Sequence, residues 1–445
     1  MGHAQLSQET AAFNNGGSGM LKSVSKKVAG LRWWIAGLLG LATVVNYLDR
    51  QLLSVVAPML RVDLHLTNTQ YAYAVNCFLV AYSIMYAMGG WIVDKLQTRR
   101  GMALSLGIWS LASLCHSFIV GIWDLCFYRF VLGVSEPGCF TAEVKAVSSW
   151  FPVEERGIGV AIAVGGTSTG AVIAPPLTLW LAIHYGWRAA FLVPSLCGLL
   201  LLPVWLWVYR EPAGHPWLSA EEHQHILGNR HEEAPVQSQR FKWSSLLRQP
   251  QSWSFVACRI FGDPLGYFYW FWIPSYLVSV KHLSLVELSK WLWVPYVGHG
   301  LGTLAGGYFS GVLVQKGISP IFARKVSLAL VPVLTPAVLI SLYAGRLPVI
   351  LWSISMGTFA IGWWGVNYYA ALMDTVPKKC VSSVVGLAGT AGALSSVPGM
   401  WLTGYAADHG AYRLVFAVAC VVVLASVSML WVFLRKPIDP RKVEP

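Results

Sequence analysis

What most constrains this chain is a succession of apolar runs, each long enough to cross a bilayer and each bounded by charge, glycine or proline. Twelve are delimited, near 33–60, 71–93, 101–121, 124–149, 157–184, 188–209, 252–280, 287–314, 323–345, 347–374, 381–406 and 411–434. A helix rises about 1.5 Å per residue, so about 20 residues traverse a hydrocarbon core about 30 Å thick. Inside lipid every backbone polar group must bond within the structure, and runs of this length do so as helices. The fold class expected is an all-α membrane protein of twelve transmembrane helices in two six-helix halves.

Composition agrees. The chain is 56% hydrophobic and 12% charged, whereas soluble domains carry about 25% charged residues. The net charge of +12 would suit a nucleic acid, but the basic residues crowd into alternate connections between spans, as membrane topology requires, so no nucleic-acid partner is expected. Lys22, Lys26, Lys27, Arg32, Lys95, Arg99, Arg100 and the basic residues of 210–251 and 435–445 fall on one side. Only Arg61, Arg188, Lys281, Lys290, Arg346 and Arg413 fall on the other, which places both termini in the cytoplasm. The expected organisation is a cytoplasmic tail (1–32), a six-helix bundle (33–209), a cytoplasmic linker (210–251), a second bundle (252–434) and a C-terminal tail (435–445). Pro212, Pro216 and Pro235 mark the linker. The polar first thirty residues lack the short apolar core of a cleaved signal, so insertion is expected to rely on the first span. The 8 cysteines fall mainly inside spans without CxxC or His/Cys spacing, and read as packing thiols rather than metal ligands. With no metal, nucleophile or cofactor constellation, no enzyme is expected and no cofactor is assigned.

Two short segments recur. Gly89-Gly90-Trp91-Ile92-Val93-Asp94 is echoed by Gly306-Gly307-Tyr308-Phe309-Ser310, and Gly166-Thr167-Ser168-Thr169-Gly170-Ala171 by Gly389-Thr390-Ala391-Gly392-Ala393. Echoes after spans two and eight, and within spans five and eleven, suit parallel repeats of six helices. Small residues also recur wherever membrane helices pack closely.

The chemistry concentrates where charge interrupts apolar runs. The first span holds Asn46, Tyr47, Leu48, Asp49 and Arg50 near its middle, a depth tolerated when such groups face a polar cavity or pair inside the bundle. Arg50 is the candidate for an anionic substrate, because its guanidinium takes a carboxylate bidentately and keeps its charge. Asn46, Tyr47 and, from span two, Tyr82 could bind substrate hydroxyls. Span four carries Arg129, Glu136 and Glu143 seven residues apart, hence within about 40° on one face. Glu136 lies at the depth of Asp49, so Asp49, Glu136 and Arg129 form the candidate proton-coupling set, the alternative being a salt bridge that locks helices. Glu143, beside Lys145, reads as structural. Asp94, Arg99 and Arg100 in the turn after span two are candidate gating residues. So are Arg259 and Asp263 of span seven, four apart and followed by Pro264, although the same spacing serves a purely structural pair. In span ten, Trp364 and Asn367 could line a sugar-like ring. His116 and His299 read as packing histidines.

Taken together these pieces resemble the anion:cation symporter branch of the major facilitator superfamily, most closely its bacterial hexuronate transporters. The resemblance is carried by residues 46–50, the loop from Gly90 to Arg100, Arg129 with Glu136, residues 145–152 with Glu155-Arg156, and Ile173-Ala174-Pro175-Pro176. Asp263-Pro264, residues 271–276 and Gly386-Leu387-Ala388-Gly389 continue it into the second half. It implies proton-driven uptake of a small, monovalent organic anion by alternating access, by a protein of the bacterial inner membrane expected to work as a monomer in the lipid bilayer. The acids matching Asp49 and Glu136 would take up protons, Arg50 would meet the substrate carboxylate, and Arg129 would couple to Glu136. The charges of the 90–100 loop would latch the halves, although Gln97 stands where the family signature has glycine. The Asp-Pro of span seven favours glucuronate or galacturonate as cargo. The alternatives are another organic anion, such as galactonate, glucarate or an aromatic carboxylate, and a carrier-like membrane sensor.

Overall fold

The computed structural model describes residues 27–152, 155–227, 243–377, 380–434 and 436–439, and among them secondary structure is helical throughout. Twelve long helices follow one another: α1 Leu31–Asp63, α2 Asn68–Gly89, α3 Lys95–Phe118, α4 Ile122–Trp150, α5 Arg156–Tyr185, α6 Trp187–Val208, α7 Pro250–Ser279, α8 Trp293–Gln315, α9 Pro320–Tyr343, α10 Leu347–Thr375, α11 Val381–Asp408 and α12 Tyr412–Phe433. Eight are long and apolar enough to cross a membrane unaided. The other four are α4, with Asp124, Arg129, Glu136, Glu143 and Lys145, α7, with Arg259 and Asp263, and the glycine- and serine-rich α8 and α11. Their polar and small residues face neighbouring helices, so packing keeps them in the bundle where apolarity alone would not.

Local departures from the expected spans have chemical causes. α2 runs into α3 with one break, at Gln97, whose φ of 64° and ψ of 158° lie in a region suited to glycine. α8 starts at Trp293 because a separate short helix, Leu285–Trp291, precedes it, opened by a reciprocal Ser284–Glu287 capping box. α9 is segmented, with a 3-10 turn at Thr335–Leu339, since Pro332 and Pro336 remove amide donors.

The two halves are built alike. α1 packs on α5 and α4 on α2 and α3, just as α7 packs on α11 and α8 on α10. The echoed glycines occupy matching contacts. A Cβ on Gly166 or Gly170 would overlap the α1 carbonyls of Gly40 or Val44, and one on Gly392 would overlap Asp263 of α7. In the same way Gly89 abuts Pro137 and Gly138 of α4, and Gly306 abuts Trp363 and Asn367 of α10. Close helix approach is what Gly166, Gly170, Gly306 and Gly392 require, whereas a Cβ on Gly89 would make only ordinary contact.

The halves meet along α2 with α11 and α5 with α8. At the end of the bundle away from the chain termini, Asp408 caps α2: its carboxylate accepts from the amides of Asn68 at 2.8 Å and Thr69 at 2.9 Å, and from the Thr69 hydroxyl at 2.6 Å. An anion at a helix N-terminus meets both orphan amides and the helix dipole. Tyr71 reinforces that end by donating to the carbonyl of Phe271 at 3.1 Å. At the opposite end Glu222, in the helix Ala220–Leu227 of the connecting segment, caps α1 through the amides of Leu31 and Arg32 at 3.0 and 3.2 Å.

Candidate functional site

Successive residues on a helix point about 100° apart, and this separates Asp49 from Arg50. The Asp49 carboxylate is buried against α3, accepting from Trp109 Nε1 at 2.9 Å and Ser113 Oγ at 3.0 Å. Arg50 instead reaches α4, where its Nε donates to Oε2 of Glu136 at 2.8 Å and its Nη2 joins the same oxygen. Glu136 is 2% exposed, and its other oxygen, Oε1, is buried without a hydrogen bond.

Aromatic rings enclose the guanidinium. Tyr47, one turn back on α1, lies 4.9 Å from it, Tyr82 of α2 lies 5.1 Å away and Phe78 6.0 Å. Rings at this range attract the cation without neutralising it. The Arg50 side chain is 20% exposed, so the pair is reached from a central space between the halves. Asn46 is buried beside it in sequence, with its Nδ2 unbonded.

Arg129 shares a face of α4 with Glu136 but makes no hydrogen bond to it. All three guanidinium nitrogens are buried without a hydrogen-bond partner, and the nearest aromatic support is Phe78 at 5.9 Å. It remains within Coulombic range of Glu136 and Asp49. Glu143, farther along, accepts from the Thr43 hydroxyl at 2.7 Å and the Cys139 thiol at 3.3 Å, which ties α4 to α1.

The second half contributes its own charged pair. Arg259 donates from Nε to Oδ2 of Asp263 at 2.8 Å, with Nη2 in ion-pair contact with the same oxygen at 2.7 Å, and from Nη1 to the Tyr369 hydroxyl at 3.0 Å. Tyr267, on α7, lies within Coulombic range of both this pair and Arg50. Tyr86 links them from α2, its ring 5.7 Å from Tyr82 and against the Cα of Gly389. Arg259 and Asp263 thus border the same space as Arg50.

Trp364 and Asn367 do not reach it. Trp364 donates to Ser426 of α12 at 3.2 Å and packs on Gly262, while fully buried Asn367 donates to the carbonyl of Gly306 in α8 at 3.1 Å. Span ten reaches the chamber through Tyr369, 37% exposed. Tyr86, Tyr267 and Tyr369 lacked any sequence signal beyond being aromatic, because which face of each helix meets the other half is set by packing. In the α2–α3 turn, Arg99 donates through Nη2 to the carbonyl of Leu206 and Arg100 is exposed, while the side chain of Asp94 lies outside the described residues. His116 stacks on Phe191 at 5.2 Å and His299 packs on Trp270 at 5.4 Å.

Two similar six-helix bundles enclosing ionisable and aromatic side chains at mid-depth define a polytopic membrane carrier of the two-bundle type. The chain belongs to the major facilitator superfamily, whose family model matches residues 39–400. It is 29% identical to the hexuronate transporter of Escherichia coli K12 over 416 residues, covering 92% of this chain and 95% of that protein. It is likewise 29% identical to a probable galactarate/D-glucarate transporter of Bacillus subtilis over 438 residues, covering 94% and 96%. Among solved structures, a bacterial homolog of the human lysosomal transporter Spinster, inward-facing and occupied, superposes with a TM-score of 0.73 at 16% identity, covering 93% of this chain and 98% of that one.

Proposed function

We propose that this protein imports a hexuronate, or a closely related sugar-acid anion, by proton-coupled alternating access across a bacterial inner membrane, with both termini cytoplasmic. The observation that carries this is the Arg50–Glu136 pair, half-enclosed by Tyr47, Tyr82 and Phe78 and open to the space between the halves. A substrate carboxylate competes with Glu136 for Arg50. Once displaced, Glu136 would be a buried anion without its cation, a state relieved by taking a proton.

Charge balance points the same way. At the chamber Arg50 pairs with Glu136 and Arg259 with Asp263, so an incoming carboxylate adds one uncompensated negative charge and one proton restores neutrality. Unpaired Arg129 is placed to hold Asp49 or Glu136 in ionised form when the proton leaves. Asn46, Tyr47 and Tyr82 would receive cargo hydroxyls. The bundles 33–209 and 252–434 would rock about the site, joined through 210–251, with the Asp408 cap closing the far end and Asp94, Arg99 and Arg100 serving the cytoplasmic turn.

The names of the relatives support a sugar acid as cargo. The test is uptake of labelled glucuronate and galacturonate into proteoliposomes under an imposed proton gradient. Accumulation abolished by a protonophore is expected. Accumulation indifferent to the protonophore, or driven equally by a sodium gradient, would overturn the coupling, and binding without accumulation would favour a sensor.

A further inference from the structure

Identity does not choose between a cargo with one carboxylate and one with two, since two relatives named for the different classes are each 29% identical. We propose that Asp263 makes that choice: by holding Arg259, it withholds the second half's cation from the cargo and restricts transport to sugar acids with a single carboxylate. This rests on Arg50 as the residue that binds the first carboxylate.

Arg259 is already paired. Its Nε and Nη2 both contact Asp263, at 2.8 and 2.7 Å, and its Nη1 contacts Tyr369 at 3.0 Å. Asp263 is held in place as well, because the backbone of α11 at Gly392 lies so close that a Cβ there would overlap the carboxylate. A dicarboxylate with one end on Arg50 would bring its other end against an ionised Asp263 and a guanidinium whose charge Asp263 already compensates. Like charges brought together in a half-enclosed site are disfavoured.

A monocarboxylate meets different chemistry. Tyr369 accepts a hydrogen bond from Arg259, which leaves its own O–H free to donate, and the residue is 37% exposed. A cargo hydroxyl or ring oxygen can take that donor. Tyr82 and Tyr267 line the interval between Arg50 and Arg259.

The test is exchange of labelled galacturonate in proteoliposomes containing the full chain, with unlabelled competitors. Galactarate should need about tenfold or more the concentration of galacturonate for half-inhibition, whereas the monoamide of galactarate, of the same size with one charge fewer, should compete within about threefold of galacturonate. In Asp263→Asn the galactarate gap should narrow about tenfold, because Arg259 is released, while Asp263→Glu should preserve it. Equal competition by galactarate in the unaltered protein, or rejection of the monoamide along with galactarate, would overturn the inference whether or not the variants fold. An unchanged gap in an Asp263→Asn protein that still exchanges galacturonate would do the same. Absence of galacturonate exchange in the unaltered protein would instead overturn the substrate assignment, and this inference with it.

Discussion

Arg50 and Glu136 stand 86 residues apart in the chain, yet Arg50 gives two of its nitrogens to one Glu136 oxygen while the carboxylate next to it in sequence, Asp49, turns to Trp109 and Ser113. The helix makes that division. Residues adjacent in sequence serve different neighbours, and the pair that opens to the chamber is formed across α1 and α4.

Arg50→Lys should lower uptake about 100-fold, since an ammonium cannot reproduce a forked guanidinium contact and losing one partner of a desolvated pair costs about 3 kcal/mol. Initial rates of labelled hexuronate uptake in proteoliposomes check this. An active Lys variant would remove Arg50 from substrate binding.

Glu136→Gln should abolish proton-driven accumulation but spare substrate exchange, because the amide keeps the shape of the side chain and cannot carry the proton. Counterflow measured beside gradient-driven uptake separates the two. Equal loss of both would mark the Arg50–Glu136 pair as structural.

Gln97→Gly should raise stability. Gln97 holds φ at 64° and ψ at 158° in the α2–α3 turn, a conformation that costs a residue with a Cβ on the order of 1–3 kcal/mol and glycine little. A higher apparent Tm of the purified variant is the expected outcome, and a lower one would show that the Gln97 side chain is needed in the turn.

Asp408→Ala should loosen the far end of the bundle. Thr67 remains as the N-cap of α2, and losing the added carboxylate at its first amides costs about 1 kcal/mol, enough to shift an equilibrium between closed and open about fivefold. The accessibility of a cysteine introduced near Tyr71, followed with a membrane-impermeant reagent, should increase. No change would show that the Tyr71 contact holds that end closed without Asp408.

Glu155 gives a pH signature. Its hydrogen bond from Arg32, at 2.8 Å, holds the carboxyl below the usual carboxylate range, and His225 lies 3.2 Å away. A depressed folded-state value means the link between the starts of α1 and α5 stabilises at neutral pH and is lost as the pH falls below that range. The side chain is partly exposed, so the contribution is less than about 1 kcal/mol. Tm measured against pH should fall less steeply on acidification in Glu155→Gln than in the unaltered protein.

The sequence by itself determined the number of membrane helices, their division into two similar halves and the rarity of charge within them, because apolar length and buried charge act locally along the chain. Arg50, Asp49, Glu136 and Arg129 were visible for the same reason: ionisable residues are conspicuous in apolar runs. Tertiary structure decided which acid each arginine holds, that Arg129 is left without a hydrogen-bond partner, and that Tyr369 rather than Trp364 or Asn367 reaches the chamber. Those outcomes depend on the rotation of each helix about its own axis, and glycine contacts between helices set that rotation over distances that no local pattern of residues encodes.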